Sequence, residues 1–137
     1  MRKAYALLTT ARMGQEEWHS AVQSNERGRR FYPDDIELLY QAGQVYQQVG
    51  RFAEARLALE ALVAQGSGAE ARRELHYRSV DTSLSTYKGR FELALLHRRM
   101  GDGPHCSQIL QDIVRSQPKF EQARIELKAT LRMLQQV

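Results

Sequence analysis

Residues 34–65, DDIELLYQAGQVYQQVGRFAEARLALEALVAQ, carry two apolar stripes of helical period that meet at one glycine. In the first half Ile36, Leu39, Ala42, Gly43 and Tyr46 follow one another at helical spacing; after Gly50, Phe52, Ala55, Leu59 and Leu62 do the same. Side chains three and four apart share one face of a helix, so each half reads as an amphipathic helix. A hairpin of two such helices is too thin to shield its own apolar faces. It becomes stable by leaning on further hairpins of the same kind.

The rest of the chain supplies them. Residues 2–13 read as a first helix on Ala4, Leu7, Leu8 and Ala11, closed by Gly14, with 15–30 as its partner on Trp18, Ala21 and Val22. Glycine is the usual residue just past a helix end, because it takes a left-handed backbone at no side-chain cost. Gly28, late in the partner helix, is a place where a neighbour can come close. Pro33 ends this unit, and Asp34 or Asp35 caps the next helix. After Gln65 the pattern breaks at Gly66-Ser67-Gly68, and 69–78 hold little apolar period. A helix over about 82–100, on Leu84, Tyr87, Phe91, Leu93, Ala94 and Leu96, ends at Gly101. Residues 107–116 carry Ile109, Leu110 and Ile113, Pro118 closes the unit, and 119–135 read as a last helix. Gly14 to Gly50 is 36 residues and Gly50 to Gly101 is 51, so about 17 are extra, between Gly66 and Thr82.

Leu39-x2-Ala42-Gly43-x2-Tyr46 followed by Ala55-x3-Leu59 resembles the tetratricopeptide repeat, whose period is about 34 residues. Arg90-x2-Leu93-Ala94-x2-His97, Gly101, Cys106-x3-Leu110 and Pro118 fall on the same skeleton. The resemblance implies an all-α fold: a right-handed superhelix of about three helix pairs and a capping helix. The repeats would be 2–33, 34–67 and 82–118, with an insertion at 68–81 and the cap at 119–135, all in one domain. The segments RKAYALL (2–8), GRRFYPDDIELLYQAG (28–43) and SVDTSLSTYKGRFELALLHRRMG (79–101) are similar to the tetratricopeptide region that follows a family 2 glycosyltransferase domain in some bacterial proteins. Glu92 stands where those relatives carry Asn. Nothing in these residues is a transferase domain, so the implied role is a non-catalytic accessory module that holds a protein or peptide. Self-association, as a homodimer, and positioning of an acceptor for a transferase are the alternatives.

Composition excludes other classes. Lys and Arg number 20 against 16 Asp and Glu, a net charge of +4 spread along the chain, so no nucleic-acid partner is expected. The cluster Arg27, Arg29, Arg30 and the pair Arg72, Arg73 are diluted by Glu26, Glu70 and Glu74. Cys106 is the single cysteine, so there is no internal disulfide. No apolar run approaches a membrane span, and the start MRKAYALLTTARMG lacks a signal-peptide pattern; a cytoplasmic location is expected.

Family resemblance also assigns the inward positions of the first helix of each pair. These are Ala4, Leu8 and Ala11; Glu37, Tyr40, Gln44, Gln47 and Gln48; Lys88, Phe91, Leu95, Arg98 and Arg99; and Gln122, Ile125, Ala129 and Arg132. The expected peptide groove is Leu8, Tyr40, Gln44, Gln47, Lys88, Phe91, Leu95, Arg98 and Ile125: aromatic anchors, an amide strip and a basic edge. Tyr and Arg carry much of the energy at interfaces. With Tyr40, Gln44, Phe91 and Leu95 where a carboxylate clamp needs Lys, Asn and Arg, acidic C-terminal peptides should not bind. No catalytic set, cofactor or metal site is expected. His105 and Cys106 are adjacent and point apart on a helix, His97 stands at a packing position, and Cys106 stands where the repeat wants a small buried residue. Gly101-Asp102-Gly103 lacks the Lys-Ser/Thr of a phosphate loop.

Overall fold

The computed structural model describes residues 2–66 and 82–136. Among them are seven α-helices: α1 (Arg2–Gly14), α2 (Trp18–Phe31), α3 (Ile36–Gln48), α4 (Phe52–Gln65), α5 (Tyr87–Arg99), α6 (Gly103–Ser116) and α7 (Glu121–Gln135). A 3₁₀ turn, Thr82–Leu84, precedes α5, so the expected helix over 82–100 begins in earnest only at Tyr87. No strand occurs among the described residues, and none of their helices is long and apolar enough to cross a membrane. The expected insertion at 68–81 lies outside the described residues.

Helices α1 and α2, α3 and α4, and α5 and α6 form hairpins, and α7 packs on α6. The hairpins stack: α3 lies against α1 and α2, and α5 against α3 and α4. The result is an all-α superhelical stack of helix hairpins. Its period is regular. First helices begin at residues 2, 36, 87 and 121, and second helices at 18, 52 and 103. The steps are 34, 51 and 34 for the former and 34 and 51 for the latter. The 17 residues beyond one period fall between α4 and α5.

One turn, used three times, sets this spacing. The amides of Glu17, Arg51 and Asp102 donate to the carbonyls of Arg12, Tyr46 and His97, at 2.9, 2.8 and 2.8 Å. The preceding amides of Glu16, Gly50 and Gly101 donate to Met13, Gln47 and Arg98. These paired bonds satisfy carbonyls that a helix end leaves open, and they require a left-handed residue between the helices. Gly50 (φ 79°) and Gly101 (φ 90°) fill that place, and in the first hairpin Glu16 does (φ 58°). Gly14, expected to be this residue, is instead the last residue of α1. The step from Glu16 to Gly50 is therefore 34 residues rather than 36. Asp102 then caps α6, its Oδ1 accepting the His105 amide at 3.2 Å, and Asp35 caps α3 through the Leu38 amide at 3.0 Å.

Two apolar clusters run through the stack. Val22, Leu39, Val45, Leu59, Leu62, Leu93 and Leu96 join α2 to α5; Phe91, Ala94, Leu110, Ile113 and Ala123 join α5 to α7. Fully burying one such aliphatic side chain is worth roughly 1.5–3 kcal/mol. Ala21, Ala55 and Cys106, in register with one another, are wholly buried. Cys106 thus takes the small-residue place expected of it. Gly28 lets α1 approach: a Cβ there would stand 2.7 Å from Cβ of Tyr5.

Replacing Glu16 by Gly relieves a left-handed cost of about 1–2 kcal/mol, partly offset by a freer unfolded chain, for a net gain of about 0.5 kcal/mol. Gly50→Ala should lose about 1 kcal/mol. Urea unfolding checks both; a loss on Glu16→Gly contradicts the shared turn.

Candidate functional site

First helices α1, α3, α5 and α7 stack side by side, and polar side chains bridge each neighbouring pair. Lys3 Nζ meets Glu37 Oε1 at 2.8 Å. Gln41 Nε2 donates to the Ala6 carbonyl at 2.9 Å and to Thr10 Oγ1 at 2.8 Å. The Tyr40 hydroxyl donates to Glu92. Arg99 Nη1 donates to Gln47 Oε1 at 3.0 Å, with its guanidinium 5.1 Å from the Phe52 ring centroid. Arg98 reaches α7, pairing with Glu126 at 2.7 Å and donating to Thr130 Oγ1 at 3.0 Å.

Between α1, α3 and α5 this arrangement leaves a recess of about 240 Å³. Met13, Trp18, Gln44, Gln47, Gln48, Glu92 and Arg99 line it. Its chemistry is amide and mixed apolar. Gln47 is oriented from both ends, because its Nε2 donates to the Gly43 carbonyl at 3.0 Å while its Oε1 accepts from Arg99. Burial pushes the Glu92 carboxyl above its ordinary range, and the hydrogen bond from Tyr40 acts in the opposite direction.

The expected groove residues divide. Gln44 and Gln47 line the recess, and Tyr40 stands beside it through Glu92. Leu8 does not belong with them. The 34-residue register puts Ala6, Thr10 and Met13 in line with Tyr40, Gln44 and Gln47, and Leu8 in line with Ala42. Leu8 lines another recess, with Tyr5, Arg12, Ser20, Gln23, Ser24 and Arg27. Phe91 is 8% exposed and meets the Phe120 ring edge-on at 5.1 Å, so it is a core residue under the α6–α7 turn. Leu95 packs on the same cluster. Arg98 is held by α7, and Lys88 is half-buried in the first turn of α5. Ile125, in register with Tyr40 and Phe91, is 61% exposed on the last helix. Met13, Trp18 and Glu92 also line the recess without being among the expected groove residues. The 36-residue spacing hid Met13, Trp18 reads as a core residue, and Glu92 lies one place past the assigned inward position.

A second cluster sits at the α5–α6 turn. The His97 and His105 rings stack with centroids 4.0 Å apart, and Asp102 Oδ2 lies 3.5 Å from His105 Nδ1. Burial, then the neighbouring His105, lowers the His97 pKa, which favours the neutral ring. The adjacent Cys106 thiol is buried and its pKa is raised by that burial; its Sγ lies 3.7 Å from Thr130 Oγ1. That burial favours the neutral thiol over the ionised form a nucleophile needs.

Glu92 yields a pH prediction. A carboxyl that is harder to ionise in the folded state stabilises the fold at low pH. That contribution is complete below the ordinary value of 4.5 and is lost as pH rises through the raised one. Glu92→Gln should therefore raise the thermal midpoint at neutral pH, with the difference from the parent closing in acid. A difference that is the same at every pH contradicts this.

No protein-family model matches the sequence, and no curated protein matches it. Among solved structures the chain is similar to the crystal structure of MamA protein, with 14% identity over 96% of this chain and 81% of that chain and a TM-score of 0.44. None of these comparisons supports the link to a glycosyltransferase.

Proposed function

We propose that this chain is a non-catalytic module that holds an extended segment of a protein or peptide in the recess between α1, α3 and α5. The observation that carries this reading is the lining itself: Gln44, Gln47 and Gln48 beside Trp18 and Met13. Glutamine amides both donate and accept, so Gln44 and Gln48 suit the backbone of an extended chain, with Gln47 held beside them by Gly43 and Arg99. Trp18 and Met13 offer apolar surface for a side chain, and a few placed polar groups among apolar walls is how binding sites fix orientation. Arg99 and Glu92 are already engaged by Gln47 and Tyr40, so the recess favours an uncharged segment with a small apolar side chain. The narrower reading, an accessory region of a bacterial glycosyltransferase, rests on the resemblance carried by residues 2–8, 28–43 and 79–101. The parent gene upstream of Met1 should then encode the transferase domain.

Panning a random peptide library against the full chain tests the main reading. Selected peptides should be poor in charge and should change Trp18 fluorescence. Gln44→Ala with Gln48→Ala should weaken them at least about fivefold, the size of a modest interface contact. Peptides that ignore both substitutions contradict the reading. So does a chain that binds only its own copies and loses this with Ile125→Asp.

A further inference from the structure

We propose that His97, Asp102 and His105 form a binding site for a divalent transition-metal ion of the zinc class at the turn between α5 and α6. One ligand atom from each lies within 4.8 Å of the others. Two imidazoles and a carboxylate are a donor set suited to zinc, with water completing the coordination. Zinc bonds to nitrogen and oxygen are about 2.0–2.2 Å, so donors around one ion stand within about twice that length of one another. Stacked with centroids 4.0 Å apart, the two imidazoles aim their lone pairs side by side, so the exposed His105 ring has to turn out of the stack to share an ion with His97.

The repeat itself makes this more than a chance surface grouping. The turn ties the three residues together: the Asp102 amide donates to the His97 carbonyl at 2.8 Å, and Asp102 Oδ1 accepts the His105 amide at 3.2 Å. Asp102 Oδ2 is left on the His105 side. The equivalent places are also in contact, in part or in whole, in the other hairpins. In the first they are Arg12, Glu17 and Ser20, and Arg12 pairs with Glu17 at 2.8 Å. In the second they are Tyr46, Arg51 and Glu54; Arg51 pairs with Glu54 and lies 4.8 Å from the Tyr46 ring centroid. The fold thus brings the first two of these positions together in every hairpin and all three in the second and third, and the third hairpin alone fills all three with metal-ligating side chains. Glu60 and Arg56 of α4 also act on His97, with opposite charges. A bound ion would staple the last turn of α5 to the first turn of α6.

Calorimetric titration of zinc chloride into the chelator-treated full chain tests the site. One ion should bind per chain. His105→Ala and Asp102→Asn should each weaken binding by at least about tenfold, since even groups behind the ligands matter that much; His19→Ala should leave it unchanged. His105 is exposed and asparagine retains the capping oxygen, so both variants keep the fold, which circular dichroism verifies. Cobalt in place of zinc should show visible bands without a sulfur-to-metal charge-transfer band. The proposal is overturned by no heat of binding, by binding that survives His105→Ala, by loss on His19→Ala, by a thiolate band placing the ion on Cys106, or by one ion per two chains.

Discussion

Everything in this stack depends on how one helix hands over to the next. At residues 16, 50 and 101 a left-handed residue reverses the chain while two backbone hydrogen bonds close the end of the outgoing helix. The next residue, Glu17, Arg51 or Asp102, is already the N-cap of the incoming helix. Such a turn leaves the second helix one way to lie across the first, and the small buried residues Ala21, Ala55 and Cys106 follow from that close crossing. Identical hairpins then present identical sides. Each can lean on its neighbour, and the apolar faces that no single hairpin can cover become a continuous interior. The first turn achieves this with Glu16, a residue that must accept a backbone suited to glycine. The geometry is therefore imposed by the whole stack and not only by local sequence.

The same geometry shapes both candidate sites. Side-by-side first helices place one row of side chains against the next, and the rows are joined by polar pairs: Lys3 with Glu37, Tyr40 with Glu92, Arg99 with Gln47, Arg98 with Glu126. These contacts engage charged side chains on all four first helices. Between α1, α3 and α5 lie a set of amides and an apolar wall. Where the handover residues are His97, Asp102 and His105, the turn that closes the helix also gathers metal ligands.

Much of this was legible in the sequence, for physical reasons that can be named. Periodic apolar residues at 36–46 and 52–62 mark a face that must be buried, and Gly50 and Gly101 mark the left-handed turn within a hairpin. Gly14 was misleading because a glycine in the last turn of a helix looks like one just beyond it, and a glutamate in a left-handed turn leaves no sign. That slip of two residues moved Leu8 into the groove and Met13 out of it. Phe91 looked like an anchor because the role of Phe120, seated between α6 and α7, cannot be read from spacing along α5. The histidine pair was invisible for a similar reason: His97 and His105 lie on different helices and meet only across the turn.

Amide hydrogen exchange, resolved residue by residue, tests the repeated turn most directly. The account predicts strong protection at Glu17, Arg51 and Asp102, whose amides reach back to the preceding helix, followed in each case by fast exchange at the opening residues of the next helix, Trp18, Phe52 and Gly103. The same pattern should appear three times, at steps of 34 and 51 residues. Unprotected amides at any of those three positions, or a protected run continuing through one of them as in an unbroken helix, would contradict it.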